Sequence, residues 1–170
     1  RRRSARLRAP SAGESRMKAS TQELDVAQIR ALAEAFGTPC YVYYADVIRD
    51  RIRSLAAFDV VRYAQKASSN LHLLRLVREQ GARVDAVSLG EIERALRAGF
   101  RPGGVTADIV YTSDVIDDAT LDRVVSLSIP VNAGSEDMLD QLGRRQRGHP
   151  VWLRVNPGFG HGHDRRVSTG

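Results

Sequence analysis

Residues 61–99 read VRYAQKASSNLHLLRLVREQGARVDAVSLGEIERALRAG, and two periodicities alternate within them. Val61-Arg62-Tyr63-Ala64-Gln65-Lys66-Ala67 and Val84-Asp85-Ala86-Val87-Ser88 are short runs with the composition of strands. Leu71–Gln80 and Leu89–Ala98 instead carry apolar residues at helical spacing. Ser88-Leu89-Gly90-Glu91 is a capping-box sequence that opens the second helix, and Gly99 is placed to end it. The unit is therefore strand, helix, strand, helix.

The same unit repeats to the right. Strand-like runs begin near Val61, Val84, Ile109, Pro130 and Val151, at intervals of 23, 25, 21 and 21 residues. Helical patterns at Ile116–Leu127 and Glu136–Arg145 fill the later intervals, and Ser135 with Glu136 and Asp137 suits a positive helix start. Regular alternation of this kind predicts an α/β protein with a parallel sheet. Two architectures satisfy it, an open doubly wound sheet and a (β/α)8 barrel, and periodicity alone does not choose between them. To the left, Ser20-Thr21-Gln22-Glu23 predicts a capped helix running to Phe36, with Gly37 as its stop. Cys40-Tyr41-Val42-Tyr43-Tyr44 reads as a short strand and 45–57 as a second helix. The expected organisation is a disordered basic tail over 1–19, lead-in helices and strand over 20–60, and a barrel-type domain over 61–170.

Charge is unevenly placed. Six arginines and only Glu14 lie within residues 1–16, so the net charge of +6 belongs to the tail and the remainder is close to neutral. Such a tail binds polyanions weakly at most, and no specific nucleic-acid partner is expected. Met17 could serve as the start of translation. No run approaches the roughly 18 apolar residues of a membrane span, and the basic start lacks the apolar stretch of a secretory signal. A single cysteine, Cys40, excludes an internal disulfide and a Cys-rich zinc site; a reducing, cytoplasmic setting is expected.

Lys66 closes the first strand run. Alternation puts it on the same face as Ala64 and opposite Tyr63 and Gln65. A desolvated lysine becomes a neutral amine able to condense with an aldehyde; a lysine at a frayed strand end simply reaches water. Asp85 and Arg154, each between apolar neighbours, point away from them and could face a barrel interior, either as site residues or as a structural ion pair. Lys66, Ser88 and Asn156 fall at the carboxyl ends of strands, where barrels of this kind carry their active sites. His161 and His163 lie on a glycine-rich loop without a third ligand, so no metal site is expected. His72 and His149 receive no role.

Tyr63-Ala64-Gln65-Lys66-Ala67-Ser68-Ser69-Asn70, with the helix from Leu71, resembles the cofactor-lysine segment of the diaminopimelate and ornithine decarboxylase family. Val84 to Leu96, Gly37 to Tyr43 and Leu153-Arg154-Val155-Asn156-Pro157-Gly158 are similar to further segments of that family, in the same order. The Ser-Asn-Leu and Val-Ser-x-Gly-Glu wording favours the diaminopimelate branch. The resemblance implies a (β/α)8 TIM barrel of the alanine racemase-like type, incomplete here at about five strand-helix steps. It implies pyridoxal 5'-phosphate held by Lys66 as an imine, with Asp85 and Arg154 near the cofactor. It implies decarboxylation of a small amino acid, meso-diaminopimelate, in lysine biosynthesis, by a homodimer in the full-length family. Another basic-amino-acid decarboxylase or a racemase on the same fold stands as an alternative, as does a non-catalytic remnant that binds polyanions through its tail. The family's phosphate loop and ring-nitrogen acid are expected beyond Gly170, so the 170 residues are expected to be an amino-terminal fragment, inactive alone.

Overall fold

The computed structural model describes residues 24–104 and 106–155. The chain divides into two compact units, one up to Val47 and the other from Ile48. The division falls inside a helix, whereas the sequence reading begins the barrel unit at residue 61.

The first unit opens with α1 (Val26–Phe36). Asp25 caps it: its carboxylate accepts from Gln28 N at 2.8 Å, while Gln28 Oε1 accepts from Asp25 N at 3.0 Å. The capping box is therefore built on Asp25; the one expected at Ser20–Glu23 and the 1–19 tail lie outside the described residues. Gly37, at φ 76°, ends the helix as expected. The strand expected over Cys40–Tyr44 is not formed. Aromatic β-propensity reflects packing on a sheet, and among the described residues this segment has no neighbouring strand to pair with.

Helix α2 (Ala45–Arg53) crosses the division and stops before the predicted Ala57. Its end is a series of tight turns in which Ser54 Oγ donates to Arg51 O at 2.7 Å. A serine hydroxyl bonded back to the backbone in this way competes with helix continuation.

The second unit alternates β1 (Arg62–Ala64), α3 (Leu71–Glu79), β2 (Arg83–Ala86), α4 (Leu89–Ala98), β3 (Ile109–Tyr111), α5 (Asp118–Ser126), β4 (Val131–Ala133), α6 (Glu136–Arg145) and β5 (Val151–Leu153). All strand pairs are parallel and their order is β1-β2-β3-β4-β5. This order separates the two architectures left open by periodicity. A doubly wound sheet reverses direction at a switch point. Here every right-handed crossover steps the same way, so all four helices fall on one face. That is the winding of a (β/α) barrel.

Register assigns the two faces. Val84 stands beside Ile109, and Ala86 beside Tyr111, which pairs with Val131. These residues and Ala133 are buried with Leu74, Ile92, Leu121, Val124 and Met138 under the helices. Each such aliphatic side chain, fully buried, contributes roughly 1.5–3 kcal/mol. The other face carries Arg62, Ala64, Asp85, Val110, Asn132 and Trp152. It is curled: the Arg62 guanidinium, on β1, lies 5.2 Å from the ring centre of Trp152, on β5. In a flat sheet four strand spacings of about 4.8 Å would separate them by roughly 19 Å, well beyond the length of an arginine. Arg62 also donates to Asp108 O at 3.0 Å and Ala107 O at 3.2 Å, bracing the amino-terminal floor. Val151 and Leu153 remain exposed, since no described helix covers β5.

Caps fix where each helix begins. Asn70, Ser88, Asp117 and Ser135 all accept a backbone N–H with their side chains. Gly99 adopts the left-handed conformation at the end of α4, as placed from sequence. In the Ser88 box, Glu91 reaches Val87 N at 2.8 Å, one residue earlier than the standard pattern.

His149, before β5, is buried, and its Nε2 lies 2.8 Å from Ile129 O. That contact makes Nε2 the protonated nitrogen, while Nδ1 is buried with no hydrogen-bond partner among the described residues. Burial holds the imidazole below its ordinary value of about 6.5, against the raising effect of the Ile129 carbonyl. The unfolded chain therefore takes up the proton first, and the stability contributed by neutral His149 is complete above about pH 6.5 and is lost as pH falls below it. The urea midpoint is expected to drop between pH 7.5 and pH 5.5, and His149→Gln to flatten that dependence.

Candidate active site

The carboxyl ends of the five strands, opposite the Arg62 floor, gather most of the polar residues singled out from sequence. At β1 the strand ends on Ala64, and Gln65–Ala67 forms one 3₁₀ turn. Lys66 therefore lies on a turn, and strict alternation no longer sets its direction. Its side chain is exposed, where the sequence reading expected an amine shielded at a strand tip. The five described strands leave the curled face open, which removes that shielding. The turn is braced from both sides: Tyr63 Oη donates to Ser68 O at 2.9 Å, and Arg94 of α4 donates to Ser69 O at 3.2 Å. Beneath it, Gln65 is buried, and neither polar atom of its amide has a hydrogen-bond partner among the described residues.

Asp85 stands beside Ala64 in the register, on the open face. Its Oδ1 is buried without a hydrogen-bond partner among the described residues. A buried carboxylate oxygen left unpaired is costly; Asp85 acts on Arg62, whose pKa is lowered first by burial and then by Arg83, while Asp85 and Asp108 oppose the shift. Asp85 thus has a spare acceptor on the open face, on the strand that pairs with β1. Ser88 is committed as a helix cap, with Oγ accepting from Glu91 N at 3.2 Å.

Arg154 lies just past β5, whose last residue is Leu153. Its backbone N–H still donates to Ala133 O at 2.9 Å, and its Nη1 donates to Asp114 Oδ1 at 3.0 Å. Asp114 follows β3, so the pair ties the ends of β3 and β5 across β4. Gly134, after β4, leaves room for it: a Cβ there would sit 3.1 Å from Asp114 Oδ1. Asp114 was not singled out from sequence. The available signal was a lone acid within three residues of a strand's carboxyl end, in Tyr111-Thr112-Ser113-Asp114. The structure thus pairs Arg154 with Asp114, at a different strand end from Asp85 and Lys66. Asn156, His161 and His163 lie outside the described residues. Among the described residues, no three His, Cys, Asp or Glu side chains group to hold a metal ion, and no helix is long and apolar enough to cross a membrane.

Comparison with known proteins adds names to this geometry. Residues 44–170 match the family described as pyridoxal-dependent decarboxylase, pyridoxal binding domain. The diaminopimelate decarboxylase of Escherichia coli (strain K12) is 62% identical over 148 residues, covering 87% of this chain and 35% of the relative. That of Streptomyces coelicolor is 60% identical over 147 residues, covering 86% and 33%. A crystal structure of diaminopimelate decarboxylase superposes with a TM-score of 0.80 at 63% identity, covering 85% of this chain and 34% of that one. The Helicobacter pylori enzyme complexed with L-lysine gives 0.68 at 28% identity, covering 78% and 35%. The chain thus spans about a third of the length of the curated relatives it matches.

The Asp114–Arg154 pair is largely exposed, and exposed pairs are worth at most about 1 kcal/mol. Asp114→Asn is expected to change the unfolding free energy in urea by less than that; a loss above about 2 kcal/mol would make it a structural pillar.

Proposed function

The chain belongs to the family of pyridoxal-dependent decarboxylases, through its pyridoxal-binding domain, and on that basis we propose that it forms part of an enzyme that decarboxylates meso-diaminopimelate to lysine. The substrate assignment is supported by 60–62% identity to proteins of that name. The reading is supported by Lys66 standing on a braced turn directly after β1, next to the strand on which Asp85 has a buried oxygen with no hydrogen-bond partner among the described residues.

The residues present fit the cofactor's needs at this end of the sheet. Pyridoxal phosphate, when bound, supplies a ring that accepts the electron pair left as the carboxylate departs as CO2. Lys66 would hold its aldehyde carbon through Nζ, and the turn fixed by Tyr63 and Arg94 would set the approach of that amine. Asp85 would accept a hydrogen bond from the bound group or from the ammonium form of Lys66, which relieves its orphaned oxygen. Small Ala64, beside Asp85 on the same face, leaves space for a flat ring. Arg154, oriented by Asp114, would present a guanidinium at the far side of the mouth. Once Nζ is free it can hold and return a proton at the reacting carbon. In the full-length family member this site would work within a cytoplasmic homodimer.

The sequence makes the test specific, because it contains two lysines, Lys18 and Lys66. After incubation with pyridoxal phosphate and borohydride reduction, peptide mass spectrometry is expected to find one pyridoxyl group on Lys66. Lys66→Ala is expected to abolish it. Labelling of Lys18 at equal yield, or none at Lys66, would overturn the assignment.

A further inference from the structure

We propose that a cavity of about 400 Å³ on the amino-terminal floor, between the end of α3 and the loop leading into β3, binds a small oxyanion. It is lined by Arg78, Arg83, Arg101, Gly99, Phe100 and Asp108, among others. Three guanidinium groups thus face one carboxylate. That carboxylate is committed: Arg101 donates to Asp108 Oδ2 through its backbone N at 3.0 Å and Nε at 3.1 Å, and to Oδ1 through Nη2 at 3.2 Å. Arg83 comes only within 3.9 Å of it.

Among the described residues the Arg78 side chain makes no hydrogen bond or ion pair, while its backbone carbonyl accepts from Gly81 N at 2.9 Å. Its side chain is exposed and its guanidinium lies over Gly99, where a Cβ would stand 3.2 Å from Arg78 Cζ. Gly99, at φ +93°, is also a position that side-chain-bearing residues rarely adopt. The guanidinium donors of Arg78 are thus open to a ligand in the cavity that this residue lines. The carboxyl ends of α3 and α4 add about half a negative charge each, which leaves the cavity positive.

The ligand class follows from the donors. Guanidinium forks match carboxylate and phosphate oxygens in pairs, and the volume accommodates a small metabolite bearing one such group. Lys66 and Asp114 stand at the opposite ends of the strands, so occupation of the floor would not compete with the cofactor site.

The test is calorimetric titration of the 170-residue chain with inorganic phosphate, and separately with malonate, at constant ionic strength. One saturable site is expected for at least one of them, and the tighter of the two identifies phosphate or carboxylate as the preferred group. Arg78→Gln is expected to weaken it about tenfold, the loss of one charge-assisted hydrogen bond. Arg147→Gln, at a separate exposed cavity, is expected to leave it unchanged. Arg78→Lys keeps the charge and the fold while removing the fork, and is expected to bind more weakly than the parent. Uptake that never saturates, equal weakening by Arg147→Gln, or unaltered affinity in Arg78→Lys would each overturn the proposal.

Discussion

The contact between Arg62 and Trp152 joins the first described strand to the last across the open face of the sheet. Nothing local requires it. It exists because every crossover in the second unit steps in the same direction, so the twist of each strand pair adds to the next and the sheet curls. One face is thereby committed to helices and the other to a shared concavity. The placement of Lys66, Asp85 and Arg154 at the carboxyl ends, and of the arginine cavity at the floor, follows from that division.

The floor and the mouth are built differently. At the floor, arginines satisfy backbone carbonyls and the Asp108 carboxylate, and they do so in several directions at once. At the mouth, buried polar atoms of Gln65 and Asp85 have no hydrogen-bond partner among the described residues, as is also true of His149 Nδ1 before β5. Unpaired buried acceptors cost stability, and they are tolerable where a ligand completes them. The buried core of the unit thus lies under the helix-covered face, and the arginine contacts lie at the floor.

Much of the second unit was legible in the sequence. Helices α4 and α6 begin and end where Ser88, Gly99 and Ser135 signal, because capping is a local interaction between residues three or four apart. The five strands appear at the spacing read from Val61 to Val151. Strand ends were less legible: β1 stops at Ala64 and β5 at Leu153, since a strand extends only as far as its neighbour pairs. Cys40–Tyr44 shows the same limit, with strand-like composition and no strand partner among the described residues. Barrel winding, the Asp114–Arg154 pair and the orphaned oxygen of Asp85 depend on residues 20 to 90 positions apart, which periodicity does not encode. The resemblance singled out Lys66, but only the register shows Asp85 sharing the face beside Ala64.

Trp152 is the single tryptophan of the sequence, which lets the curl be measured directly. Acrylamide quenching of its fluorescence should rise in Arg62→Ala relative to the parent, because the guanidinium that covers one face of the indole, an interaction worth roughly 0.5–2 kcal/mol, is gone. Identical quenching in the two proteins would mean that β1 does not reach β5 and that the concave face is not formed.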